Sequence, residues 1–146
     1  NNRVELAPLL EEVIVFSNPD HSDGVELNIP PGTSVKADRE KLFRVIVNGL
    51  RNAIDAMGEG DSPRISSYEH GRWVDIFIED TGEGISEKDI DRLFTPFYTT
   101  KTEGTGLGLA YAKKVVEGMG GTIKLANRQG RNGAVLTIQL PNGRNK

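Results

Sequence analysis

Residues 80–109 constrain this chain more than any other stretch, because they hold two glycine clusters, Gly82/Gly84 and Gly104/Gly106/Gly108, with a pair of phenylalanines between them. Glycine loses more conformational freedom on folding than any other residue, so its concentration at two points marks backbone that turns sharply or comes close to another group. The second cluster, Gly104-Thr105-Gly106-Leu107-Gly108-Leu109, runs directly into residues with helical spacing. Its amides then sit at a helix N-terminus, where unpaired N–H groups and the helix dipole favour an anion. A nucleotide's phosphate chain is the ligand this suits.

The rest of the chain sets the frame for such a site. With 146 residues, 36% of them hydrophobic and 27% charged, it has the mixture of one ordinary globular domain, residues 1–146, long enough to bury a proper core. The net charge is −3 and the basic residues are scattered, so there is no electrostatic footprint for nucleic acid or an anionic membrane. No apolar run approaches the roughly 20 residues of a membrane helix, and no secretory signal opens the chain. The absence of cysteine excludes disulfides and thiolate metal sites and fits a reducing cytoplasm. A chain that opens on Asn1 reads as a piece of a longer protein.

Apolar residues at 6, 9, 10, 13 and 14 predict an amphipathic helix over residues 4–16. Alternation over 24–29 predicts a strand, stopped by Pro30-Pro31-Gly32, with a second strand at 34–37 as its partner. Asp38 is placed to cap a long helix reaching residue 57, since its carboxylate can accept from the free first-turn amides. On that helix Asn48 and Asn52 fall about 40° apart, just outside the apolar stripe, with Asp55 beside them. Residues 64–69 and 73–79 read as a hairpin whose second strand delivers Asp80 at its end. Residues 86–103 show little regular structure beyond one helical turn at 87–93, as lids and binding loops do. A helix over 106–117 and two strands, 122–127 and 134–140, complete the chain, and 141–146 reads as a frayed polar tail. Strands and helices mix without βαβ alternation, which predicts an α/β (α+β) two-layer sandwich: a mixed, largely antiparallel sheet with three helices on one face.

Several residue groups could carry chemistry. A carboxylate only accepts hydrogen bonds and the adenine amine donates them, so Asp80 could read adenine while Gly82 and Gly84 let backbone approach the ring; a strand end followed by a glycine turn explains the same residues. Asn48 and Asn52, at i and i+4, offer amide oxygens suited to Mg²⁺, or are merely polar residues at a helix edge. Phe94 and Phe97 could pin a lid or belong to the core. Lys101, after Thr99 and Thr100, could neutralise a γ-phosphate or simply be solvated. His21 and His70 read as surface residues and Trp73 as core. Neither a Walker loop nor a Rossmann fingerprint occurs.

Together these pieces resemble the catalytic and ATP-binding domain of two-component sensor histidine kinases. Asn48-Gly49-Leu50-Arg51-Asn52-Ala53 is similar to the family's N box, Asp80-Thr81-Gly82-Glu83-Gly84 to its first glycine box, Phe94-Thr95-Pro96-Phe97 to its F box, and Gly104 to Leu109 to its second glycine box. All four occur in family order, and Asp55-Ala56-Met57 with the short Thr99-Thr100-Lys101 segment resembles the nitrogen-regulation type.

The resemblance implies the Bergerat ATP-binding sandwich, with ATP and Mg²⁺ held by Asn48, Asn52, Asp55, Asp80, Gly82, Gly84, Ile85, Phe94, Thr99, Thr100, Lys101 and the segment Gly104, Thr105, Gly106, Leu107, Gly108, Leu109. By that analogy Asp80 binds the adenine amine, Asn52 coordinates Mg²⁺, Asn48 supports metal or phosphates, and Lys101 with the Gly106 and Gly108 amides holds the triphosphate. The γ-phosphoryl group passes to a histidine on the protein's own dimerisation domain, which would precede Asn1, and a response-regulator receiver domain is the downstream partner. Such a domain is cytoplasmic and monomeric by itself, belongs to a homodimeric kinase, and does not autophosphorylate alone. Asp55 departs from relatives that carry a basic residue there. Two other readings stay open: the related ATP-hydrolysing enzymes, which place a water-activating glutamate where Asn48 stands, and a non-catalytic nucleotide-binding module.

Overall fold

The computed structural model describes residues 1–17, 24–58, 61–90, 92–94 and 108–144. Its elements run β1 (Asn2–Glu5), α1 (Leu6–Ser17), β2 (Glu26–Asn28), β3 (Ser34–Ala37), α2 (Arg39–Asp55), β4 (Arg64–His70), β5 (Trp73–Glu79), α3 (Glu87–Ile90), α4 (Gly108–Gly118), β6 (Thr122–Asn127) and β7 (Ala134–Pro141). Five strands form a mixed sheet in the order β2-β4-β5-β7-β6, parallel at β2–β4 and antiparallel elsewhere, and β1 with β3 forms a separate antiparallel pair.

The central strands bury every second residue: Val74, Ile76 and Ile78 on β5, and Leu136, Ile138 and Leu140 on β7. That period of two sends one face of the sheet into a core shared with Leu9, Leu10 and Val13 of α1, Leu42, Ile46 and Leu50 of α2, and Ala112 and Val116 of α4. Each large aliphatic side chain so buried contributes about 1.5–3 kcal/mol. The two-layer α+β sandwich read from the sequence is therefore the fold. On the open face, opposite the helices, Tyr68 stacks on His70 at 5.3 Å, His70 Nε2 lies 3.0 Å from Asp75 Oδ2, and Gln139 donates to Asp75 Oδ1 at 2.9 Å. Trp73, expected in the core, lies on this same face and is 37% exposed, because it shares the parity of Asp75 rather than that of Val74.

Local signals were obeyed where they were strong. Asp38 caps α2, with Oδ1 accepting from the Lys41 amide at 3.2 Å. Of the residues that α2 buries, Leu42, Val45, Ile46, Gly49, Leu50 and Ala53 have the recurrence of an apolar helix face, and Val47 is buried beside it. The helix stops at Asp55, short of residue 57, with Ala56 and Met57 amides bonding back to Asn52 and Ile54 carbonyls.

Three further expectations are corrected. The first helix begins at Leu6, not residue 4, because Asn2–Glu5 pairs with β3 and buries Val4. β3 therefore takes β1 as its partner, while β2 lies parallel to β4, Leu27 facing Ile65. Residues 141–144 do not fray. Pro141 closes β7 opposite Trp73, Asn142 bridges to Val35, and Gly143 donates to the Ser34 carbonyl at 2.9 Å. Asn142 is 4% exposed; its Nδ2 donates to the Gly71 carbonyl at 3.0 Å and its Oδ1 accepts from the Arg144 amide at 3.0 Å. The segment ties the small β1–β3 pair to the main sheet.

Two stability measurements follow from this packing. Gly49 seats α2 on the sheet, where a Cβ would lie 2.8 Å from Leu136 Cδ2 and 3.1 Å from Ile78 Cδ1. Gly49→Val should lower the unfolding free energy by about 1–3 kcal/mol in urea titrations through overpacking. Asn142→Ala should cost about 1–3 kcal/mol by removing two part-buried hydrogen bonds of about 0.5–1.5 kcal/mol each, whereas a frayed tail would register no change.

Candidate nucleotide-binding cleft

The alternation that buries Val74, Ile76 and Ile78 continues one step to Asp80, so the carboxylate falls on the helix side at the end of β5 and is 7% exposed. Its Oδ1 accepts from the Gly82 amide at 3.0 Å and from the Ala134 amide at 3.1 Å, while the Asp80 amide donates to the Ala134 carbonyl at 3.0 Å. One carboxylate oxygen is thereby committed to main chain from two segments. No described residue claims Oδ2, which is available to a donor on a ligand.

Helix α2 forms the adjoining wall. A Cβ on Gly82 would overlap the Ala56 carbonyl oxygen, so the loop after Asp80 lies directly against the end of α2. At the other side, a Cβ on Gly108 would stand 2.6 Å from both amide atoms of Asn48. Glycine is required at 82, where a Cβ would meet backbone, and at 108 a Cβ would displace the Asn48 amide. The first glycine cluster and the end of the second thus meet the same helix, less than three turns apart.

Asn48 is half-buried, and its Nδ2 is buried without a hydrogen-bond partner among the described residues. A buried amide N–H left unpaired carries a desolvation cost of about 1–3 kcal/mol, which an acceptor brought to this atom would relieve. Asn52 is half-buried one turn on, Asp55 is exposed, and both hold polar interactions of their own. Phe94 and Leu109 pack partly buried against the core, and Ile85 is half-buried. Phe97, Thr99, Thr100, Lys101, Gly104, Thr105, Gly106 and Leu107 lie outside the described residues, as does His21.

Two residues with no place in the sequence reading also border the cleft. Asn127 bonds the Ile85 main chain through both amide atoms, at 2.7 and 2.6 Å, and Arg128 Nη1 donates to the Asp80 carbonyl at 3.1 Å. Both lie at the β6–β7 turn, far along the chain from the glycine clusters, where neither period nor motif could flag them.

No group of three His, Cys, Asp or Glu among the described residues could hold a metal ion. This does not conflict with Mg²⁺, which keeps several waters and takes only one or two protein ligands when substrate phosphates supply the rest. Asparagine Oδ1 atoms meet that description, and the orphaned Asn48 Nδ2 complements a phosphate oxygen.

Residues 37–144 match the family model described as histidine kinase-, DNA gyrase B- and HSP90-like ATPase. Sensor histidine kinase ZraS of Escherichia coli is 42% identical over 107 residues, which cover 73% of this chain and 23% of that protein. Signal transduction histidine-protein kinase AtoS of Escherichia coli is 34% identical over 147 residues, covering 95% of the chain and 24% of AtoS. The chain thus spans about a quarter of the length of such curated relatives. Among solved structures, the catalytic domain of histidine kinase ThkA superposes with a TM-score of 0.84 at 32% identity, covering 96% of this chain and 94% of that one. Full-length ShkA in complex with AMPPNP superposes with a TM-score of 0.78 at 27% identity, over 95% of this chain and 30% of ShkA. A site framed by α2, the loop after Asp80 and the start of α4, on a fold shared with histidine kinase catalytic domains and matched from residue 37 to 144, makes this chain a member of the histidine kinase-, DNA gyrase B- and HSP90-like ATPase family.

Proposed function

We propose that this domain binds Mg²⁺-ATP in the cleft between α2, the loop after Asp80 and the start of α4, and donates the γ-phosphoryl group to a histidine on a separate dimerisation domain of the same protein. The observation that carries this reading is the convergence of Gly82 and Gly108 on α2, beside a buried Asp80 carboxylate and an unpaired Asn48 amide. The sensor histidine kinases among its relatives support the reaction class, and the ShkA complex with an ATP analogue supports the ligand.

In this reading Asp80 Oδ2 accepts from the exocyclic amine of adenine, and the loop from Gly82 to Ile85 lies along the ring. Asn52 ligates Mg²⁺ through Oδ1, Asn48 serves the metal or a phosphate oxygen, and Asp55 lies at the edge of this group. The Gly106 and Gly108 amides with Lys101 hold the triphosphate, Thr99, Thr100, Gly104, Thr105 and Leu107 belong to the covering segment, Leu109 follows in the first turn of α4, and Phe94 with Phe97 anchors the cover. Mg²⁺ would neutralise charge on the phosphates. The incoming imidazole nitrogen forms a P–N bond as the bond between the γ-phosphorus and the ADP oxygen breaks. Such transfer is mostly positioning and charge neutralisation, so the domain needs no base of its own if the acceptor arrives in line.

The hydrolytic alternative needs a base for water. At the position where that reading requires a glutamate this chain has Asn48, and an amide cannot take a proton. His70 is a poor internal acceptor, because it stacks on Tyr68 and faces Asp75 on the open side of the sheet. A dimerisation domain bearing the histidine and a receiver domain are therefore the partners proposed, in a cytoplasmic, homodimeric, nitrogen-regulation-like kinase whose isolated catalytic domain, residues 1–146, is monomeric.

Calorimetry should give an ATP dissociation constant in the roughly micromolar range. Asp80→Asn, which turns an acceptor toward adenine into a donor, should weaken it about ten- to a hundredfold, the worth of one charge-assisted hydrogen bond. Unchanged affinity would remove Asp80 from the site. With γ-labelled ATP and a separately supplied dimerisation domain, label should appear on that domain in acid-labile, base-stable form and not on this chain alone. Release of free phosphate without protein label would favour hydrolysis instead.

A further inference from the structure

Asn127 ends β6, outside every motif that the sequence singles out. Its Oδ1 accepts from the Ile85 amide at 2.7 Å and its Nδ2 donates to the Ile85 carbonyl at 2.6 Å. An amide that engages both main-chain groups of one residue acts as a rung of a strand pair, and here it fixes the last residue of the loop after Asp80. Gly84, at φ +83°, fits beneath it; a Cβ there would stand 2.6 Å from Asn127 Oδ1. The neighbouring Arg128 holds the other end. Its Nη1 donates to the Asp80 carbonyl at 3.1 Å and to the Asn132 carbonyl at 3.2 Å, Nε lies 3.8 Å from Glu79 Oε1, and the side chain is 13% exposed. Adjacent residues of one turn therefore pin both ends of residues 80–85.

We propose that Asn127 and Arg128 are positioning residues that set the aim of the Asp80 carboxylate and so decide selection of adenine over guanine. The inference rests on the reading of this cleft as an adenine-nucleotide site. Adenine presents a donor at its six-position where guanine presents an acceptor oxygen, which a carboxylate repels. That discrimination requires the carboxylate to stay where it is, because a loop free to swing relieves the repulsion and loses the matching bond as well. Triphosphate recognition belongs to other segments and does not depend on the clamp. Asn127 is exposed, so its removal leaves the core intact.

The test is calorimetry of this chain with Mg²⁺ and three probes: ATP, GTP and inorganic triphosphate. Asn127→Ala should weaken ATP about tenfold and cut the preference for ATP over GTP by a similar factor, with triphosphate affinity unchanged. Asn127→Asp keeps the acceptor for the Ile85 amide but repels the carbonyl, so it should fall between; it also serves if the alanine variant folds poorly. Arg128→Gln should shift ATP in the same direction and spare triphosphate. Wild-type selectivity in Asn127→Ala, or equal losses for ATP and triphosphate, would overturn the positioning role while leaving the nucleotide site standing. A wild-type chain that binds no ATP would overturn the site reading and this inference with it.

Discussion

A single carboxylate oxygen joins three parts of the chain: Asp80 Oδ1 takes the amide of Gly82, two residues on, and the amide of Ala134, 54 residues away. Burying a carboxylate is costly unless its lone pairs are satisfied, and main-chain amides satisfy them without needing side-chain order. Strand β5, the first glycine loop and the start of β7 are thus held in fixed relation at the mouth of the cleft. The remaining oxygen is claimed by no described residue. A residue that looks like a strand terminus is also a structural hub, and the chemistry proposed for it uses only the half of the carboxylate that the fold has not consumed.

Helix α2 plays the complementary part. One side of it is core, seated against Ile78 and Leu136 at Gly49, and the neighbouring side carries Asn48 and Asn52. Because the helix is clamped to the sheet through that close contact, its polar edge is held rigid relative to Asp80. The loop after Asp80 and the start of α4 both reach it, Gly82 at the Ala56 carbonyl and Gly108 at the Asn48 amide. Packing energy from the apolar stripe therefore positions groups that contribute little to stability themselves, which is the usual relation between a scaffold and its site.

Much of this was legible in the residues and some was not. The Asp38 cap, the α2 stripe and the alternation of β5 and β7 each depend on neighbours within a few positions, and each appears as read. Strand β1 was missed because Asn2–Glu5 carries one apolar residue in four and no turn signal separates it from Leu6. The partners of β2 and β3 were misassigned for a different reason: a period of two says that a strand has a buried face, not which strand lies beside it. Residues 141–144 look polar enough to fray, yet Asn142 and Gly143 find carbonyl and amide partners on segments that a linear reading does not bring near.

Periodicity, capping and glycine content act over short spans of chain, and they were enough to specify the kinds of element, the layered α+β class and the motifs that mark α2, the loop after Asp80 and the start of α4 as chemically special. Tertiary structure decided which of these come together: that Gly82 and Gly108 press on one helix, that Ala134 shares the Asp80 carboxylate, and that Asn127 and Arg128 brace the loop from behind. Those contacts join residues many tens of positions apart, and they exist because burying the common core brings their strands and helices into register, which no local propensity encodes.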